Sequence, residues 1–116
     1  MLSDPEWREA TFFSAKVAIL TTLVSVVIGT MAAIALVRGA LIGKRVLTAF
    51  TLAPLIVPHI VLGIALYLSF TPLGLSGTVL GFVIAHTALA VPFVVLTVSA
   101  ALYRVDRSLE LAAINL

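Results

Sequence analysis

The chain has 116 residues, of which 62% are hydrophobic and only 10% charged, and its net charge is +2. Soluble domains average about 25% charged and about 45–50% apolar residues, so an ordinary soluble domain is excluded and a multi-pass membrane protein is indicated. The seven Lys and Arg lie at the edges of apolar stretches, as orientation signals do rather than a nucleic-acid surface, and the lack of Cys excludes disulfides, thiolate metal sites and cysteine nucleophiles.

Residues 1–16 are polar enough to lie outside the bilayer as a periplasmic amphipathic lead-in. Asp4 followed by Pro5 reads as a helix start, because proline at the first helical position loses no bond. Trp7, Phe12 and Phe13 suit the headgroup layer, where aromatic rings are enriched. Residues 17–37, between Lys16 and Arg38, form an uncharged stretch of about 31 Å as a helix, enough to cross a ~30 Å hydrocarbon core. Ser25, Gly29 and Ala33 are four apart, a spacing of small residues that lets another helix approach closely.

Residues 38–45 form a loop with Arg38, Lys44 and Arg45 and no acid, so the positive-inside rule predicts that it is cytoplasmic. Residues 46–103 contain no Asp, Glu, Lys or Arg, too long a stretch for one span of about 20 residues. The spacing predicts a span at 46–70, a Pro- and Gly-punctuated periplasmic turn at 71–77, and a span at 78–103. The tail, 104–116, is then cytoplasmic, and the N-terminus is outside. Gly77, Gly81, Ala85 and Ala88 suggest a second packed helix face.

The second predicted span carries Pro54, Pro58 and Gly63, and the third carries Pro92. Each internal proline removes a helical hydrogen bond, which membrane helices tolerate when neighbours satisfy the freed carbonyl. Ordinary kinks and broken helices around a hinge or pathway are both compatible with this pattern. His59 and His86 are the intramembrane groups that ionise near neutral pH, which makes them pathway candidates. The simpler reading is a neutral imidazole bonded to a nearby carbonyl or hydroxyl.

In the tail, Asp106 is a good N-cap and Glu110 sits near the positive end of the helix that follows. Leu109, Ala112, Ala113 and Leu116 share one face, with two alanines at its centre. This is the pattern of a short docking helix. The sequence contains no phosphate-cradling Gly-Lys-Ser/Thr loop, nucleophile elbow or carboxylate pair, so the chain is not expected to be an enzyme, and no cofactor or metal is expected on it.

The stretch Leu109-Glu110-Leu111-Ala112-Ala113-Ile114-Asn115-Leu116 resembles the EAA signature of permeases in binding-protein-dependent ABC importers. Ala112 and Ala113 match its alanines, Leu111 stands where the signature has Glu, and the signature Gly would follow Leu116. Residues 53–67, with Pro54, Pro58, His59 and Gly63, and residues 85–94, with His86 and Pro92, are similar to the spermidine/putrescine-type branch. The resemblance implies an all-α polytopic bundle: three transmembrane helices of a type I (MetI-like) importer core and the start of a cytoplasmic coupling helix. Implied partners are a dimer of ABC ATPase subunits that binds ATP-Mg, a second permease subunit, a periplasmic solute-binding protein and the inner-membrane bilayer. It further implies an N-terminal to central fragment, since such permeases continue with two more spans. Two other classes compete with it. A small oligomeric exchanger needs a membrane carboxylate, which residues 46–103 lack, and a non-transporting scaffold leaves the alanine-centred docking helix unexplained.

Overall fold

The computed structural model describes residues 4–104 and 112–115. Four helices are laid down in order: α1 (Pro5–Arg38), α2 (Lys44–Ile56), α3 (His59–Phe70) and α4 (Val79–Arg104). No strand occurs among the described residues. The protein is an all-α membrane bundle, as its composition requires. Helices α1 and α4 are each long and apolar enough to cross a bilayer, and α2 and α3 pass the same test only as a pair.

Helix α1 starts where Asp4 Oδ1 accepts the Glu6 amide at 3.2 Å, with Pro5 at the first turn. Nothing between Pro5 and Arg38 breaks it, so the lead-in and the first span are one helix of 34 residues and not two separate units. At 1.5 Å per residue that is about 51 Å, so about 20 Å of continuous helix extends beyond a ~30 Å hydrocarbon core. At the far end Gly39 returns its amide to the Ala35 carbonyl, and the backbone then turns extended.

The buried residues of α1 are Val17, Thr21, Ser25, Gly29, Ala33 and Leu36. The small-residue stripe seen from Ser25 to Ala33 therefore extends to Val17. It packs on α4: a Cβ placed on Gly29 would lie 2.6 Å from Val94 Cβ and 2.7 Å from Val94 Cγ1. Nearer the C-terminal ends, Ala33 and Leu36 cluster with Val95, flanked by Val91 and Val98. At the N-terminal ends Phe13 meets Phe82 edge-to-face, with centroids 5.5 Å apart. Arg38 Nη2 donates to the Leu102 carbonyl at the other end. These contacts ascend in the same order on both helices, so α1 and α4 run parallel.

The chain must run back from one end of this parallel pair to the other, and α2 and α3 lie on that path. The single helix expected over 46–70 is instead two helices bent by 102°. The cause is local. Pro58 bars Val57 from the helical region, and Val57 is extended at φ −75, ψ 131. Pro58 then caps α3, its carbonyl accepting from Val61 at 2.9 Å and Leu62 at 3.2 Å.

The turn to α4 contains Gly74 and Gly77 at φ 66 and 77, a left-handed backbone that suits glycine. Thr78 caps α4, its Oγ1 accepting the Gly81 amide at 3.0 Å. This geometry corrects the second small-residue stripe. Gly77 is in the turn and exposed, and Ala88 is exposed. Gly81 is buried, but against the Leu75 carbonyl of the turn and not against a helix. The face of α4 that packs on α1 is instead set by Val83, Pro92 and Val95. Pro92 is fully buried in a helix that continues through it.

Candidate functional site

Three places carry the polar and backbone features from which a membrane site is built. The first is the break between α2 and α3. Pro54 lies half-buried inside α2, and Pro58 and His59 are exposed at the start of α3. Neither proline has an amide, so the carbonyls of Phe50 and Pro54 lose their usual helical donors. Gly63 is exposed, with open space where a Cβ would stand. Of the two readings of this proline pair, the structure has the broken helix.

The second place is the seam between α1 and α4. Pro92 sits inside it, so this proline shapes a packed contact and does not open a break. Several span hydroxyls fold back on their own helix: Thr22 donates to the Ala18 carbonyl, Thr48 to Lys44, Ser69 to Ala65, and Thr97 to Phe93. Thr21 Oγ1, Ser25 Oγ and Thr87 Oγ1 are buried without a hydrogen-bond partner. Burying a hydroxyl unpaired costs about 1–3 kcal/mol, so this seam is held by close packing and not by its polar atoms.

Above these hydroxyls, at the N-terminal ends of both helices, a cleft of about 350 Å³ is lined by Phe13, Ser14, Val17, Ala18, Thr21, Thr22, Phe82 and His86. His86 Nδ1 lies 2.8 Å from the Phe82 carbonyl. A carbonyl only accepts, so Nδ1 is the donor in this contact. The expected carbonyl partner is thus supplied by the residue one turn back on the same helix. His59 and His86 stand on different elements, and among the described residues no group of His, Cys, Asp or Glu is arranged to hold a metal.

The third place is the C-terminal end of the α1–α4 pair. Arg38 donates to the Leu102 carbonyl at 3.3 Å and Lys44 Nζ to the Val37 carbonyl at 3.4 Å. Last-turn carbonyls have no helical donor, and cations satisfy them. In the sequence Arg38 is legible only as a topology signal. Its contact with α4 spans 64 positions and has no local signature. Of the docking-helix residues, Ala112 and Ala113 are helical and exposed. Asp106, Leu109, Glu110 and Leu116 lie outside the described residues.

A probable molybdenum ABC transporter permease protein of Haloferax volcanii is 37% identical over 111 residues, which cover 89% of this chain and 41% of that protein. The chain is similar to ABC transporter permeases. The molybdenum transport system permease protein ModB of Escherichia coli is 34% identical over 126 residues, covering 97% of this chain and 55% of ModB. The putrescine transport system permease protein PotI of Escherichia coli is 29% identical over 123 residues, covering 100% of this chain and 44% of PotI. The chain spans about half the length of the curated relatives it matches. No family model and no solved structure matches it.

These permease relatives are transport subunits and not enzymes. They do not single out the spermidine/putrescine branch, because molybdenum permeases are more similar to the chain than the putrescine one.

Proposed function

We propose that this chain supplies transmembrane spans of the permease of an ATP-driven ABC importer. The observation that carries this reading is similarity to ABC transporter permeases along nearly its whole length. The all-helical bundle, with parallel crossings and a proline-broken return, supports it. In this reading a periplasmic binding protein delivers a small solute. A second permease completes the pathway, and a dimer of ATPase subunits binds and hydrolyses ATP-Mg. In this reading the protein lies in the bacterial inner membrane, with its N-terminus periplasmic and its C-terminus cytoplasmic, an orientation that the basic residues Arg38, Lys44 and Arg45 support through the positive-inside rule.

The segment from Asp106 to Leu116 is the coupling helix, with Leu109, Ala112, Ala113 and Leu116 as its docking face and Asp106 and Glu110 at its start. Closure of the ATPases pushes this helix. Arg38 ties the end of α4 to α1, so the push moves both helices, and the break at Val57–Pro58 absorbs the movement. Cysteines placed at Ala112 or Ala113 in the assembled transporter are expected to cross-link to the ATPase subunit, with a yield that changes when ATP binds. Absence of any ATP-sensitive cross-link sinks the proposal.

For the substrate, the resemblance of residues 53–67 and 85–94 points to a polyamine such as spermidine or putrescine, and PotI supports it. The higher identity of the molybdenum permeases favours a second reading, a molybdenum oxyanion. Uptake of labelled putrescine challenged with excess molybdate, and the reverse, separates the two.

A further inference from the structure

Helix α2 carries an apolar furrow that begins at a cation. Arg45, Val46, Ala49, Phe50 and Ala53 line this space of about 440 Å³. Residues 45, 49 and 53 are four apart and so share one side of the helix. Ala49 and Ala53 are short, and Val46 and Phe50 stand beside them. Val46 and Phe50 are exposed, whereas Thr48, Leu52 and Leu55, on the opposite side of α2, are half-buried. The furrow therefore lies on the face that the rest of the bundle leaves open. At 1.5 Å per residue it is about 12 Å long, enough to reach from a membrane surface well into a ~30 Å hydrocarbon core.

Its mouth has charge of one sign. Lys44 Nζ, 3.4 Å from the Val37 carbonyl, places the start of α2 at the end of the bundle where α1 finishes. Gly43 caps α2 without a side chain, and the first turn holds Lys44 and Arg45 and no acid. Cations are disfavoured at the positive end of a helix, so an anion beside them is stabilising. Among the described residues the acids are Asp4, Glu6 and Glu9, all at the opposite end of α1. Arg45 itself is exposed. The cleft lined by Pro5, Arg8, Glu9 and Phe12 is the contrast, since it carries an acid with its arginine.

We propose that this furrow binds an anionic phospholipid, with the headgroup phosphate on Arg45 and an acyl chain over Ala49 and Ala53. A guanidinium offers paired donors to phosphate and stays charged at a membrane surface. A docked apolar helix would fill the furrow and leave the Arg45 charge covered without a partner, which is costly in a membrane. A zwitterionic lipid brings an ammonium that offsets the attraction. The site rests on the membrane bundle and not on the permease reading.

The test uses the full-length protein in phosphatidylcholine vesicles doped with brominated phosphatidylglycerol or brominated phosphatidylcholine, whose bromines quench tryptophan on contact. Trp7→Phe removes the single native tryptophan, and Phe50→Trp puts a reporter on the furrow. Ile64→Trp, at an exposed position on α3, is the reference. One cation at the surface favours an anionic lipid by about fivefold, so brominated phosphatidylglycerol is expected to half-quench Phe50→Trp at about a fivefold lower mole fraction than brominated phosphatidylcholine. Ile64→Trp is expected to show no such preference. Arg45→Gln should abolish the preference, and Ala49→Leu, which fills the furrow, should weaken it with Arg45 still present. Equal quenching by the two lipids at Phe50→Trp overturns the site, as does an equal preference at Ile64→Trp. Quenching by neither lipid means that protein covers the furrow, and this also overturns it. A preference that survives Arg45→Gln or is untouched by Ala49→Leu removes the headgroup contact or the furrow from the site. If Phe50→Trp does not fold, Val46→Trp reports from the same furrow. The permease reading is decided separately, by the cross-link at Ala112 or Ala113.

Discussion

Gly29 is the residue on which the α1–α4 contact depends most directly. A Cβ there would overlap Val94 Cβ and Cγ1, both under 3 Å away, and would lie 3.4 Å from the Val91 carbonyl oxygen. Valine is stiff at χ1, so it cannot swing aside cheaply. Gly29→Ala is therefore expected to lower stability in detergent by about 1–3 kcal/mol, the usual cost of overpacking. Val94→Ala in the same chain should recover most of that loss. Thermal unfolding of the single and double variants measures the coupling. Gly63 is the contrast. It is helical with open space around its missing Cβ, so Gly63→Ala should be neutral or stabilise by up to about 1 kcal/mol. If Gly29→Ala behaves like Gly63→Ala, the close approach is wrong. His86 belongs to this scale too. Its ring is oriented by its own helix, with Nδ1 2.8 Å from the Phe82 carbonyl one turn back and the imidazole 6.0 Å from the Phe82 ring.

Among the elements, the bent α2–α3 pair departs most from a regular span. Helices of 13 and 12 residues are roughly 20 and 18 Å long. A bend of 102° leaves their outer ends roughly 24 Å apart, against roughly 38 Å if they were collinear. Replacing Pro58 by Ala restores an amide that can reach the Pro54 carbonyl and frees Val57 from its extended conformation. Spin labels at Lys44 and Phe70 should then report a longer mean distance in Pro58→Ala than in the native chain. An unchanged distance would show that tertiary packing, and not Pro58, sets the bend. Pro92→Ala should leave helix geometry nearly unchanged, because α4 is continuous through Pro92 and this ring is already packed.

For the whole molecule, parallel α1 and α4 put the 39–43 loop and the 71–78 turn at opposite ends of the bundle. Arg38, Lys44, Arg45 and Arg104 gather at the first of these ends, while Arg8 and Lys16 lie towards the other. Cysteines at Ile42, which is fully exposed, and at Leu73 should therefore label from opposite sides of the membrane. The positive-inside rule expects Ile42→Cys to react only from the cytoplasm and Leu73→Cys only from outside. Labelling of both from one side would remove the return crossing and with it the parallel pair. Much of the apolar surface is still uncovered, including Ile60, Val61, Ile64 and Leu68 on α3, as expected of surface that meets lipid or further helices.

The sequence by itself determined the class and the start of the first helix. Charge-free stretches, basic edges and the Asp4–Pro5 start follow from local solvation and backbone chemistry, which need no partner to be read. The Ser25–Gly29–Ala33 face was legible for the same reason, since small residues four apart share a helix side. Tertiary structure decided which face of α4 answers it. Gly77 and Gly81 serve the turn, where a left-handed backbone and a close carbonyl require glycine, so the same spacing had a different cause. The break at Val57–Pro58 was visible only as a choice between a kink and a broken helix. The pairing of Arg38 with Leu102, and of Thr22 with His86 across one cleft, joins residues about 64 positions apart. Such contacts depend on the register of two parallel helices, a quantity set by packing along the entire seam and written in no single stretch of chain.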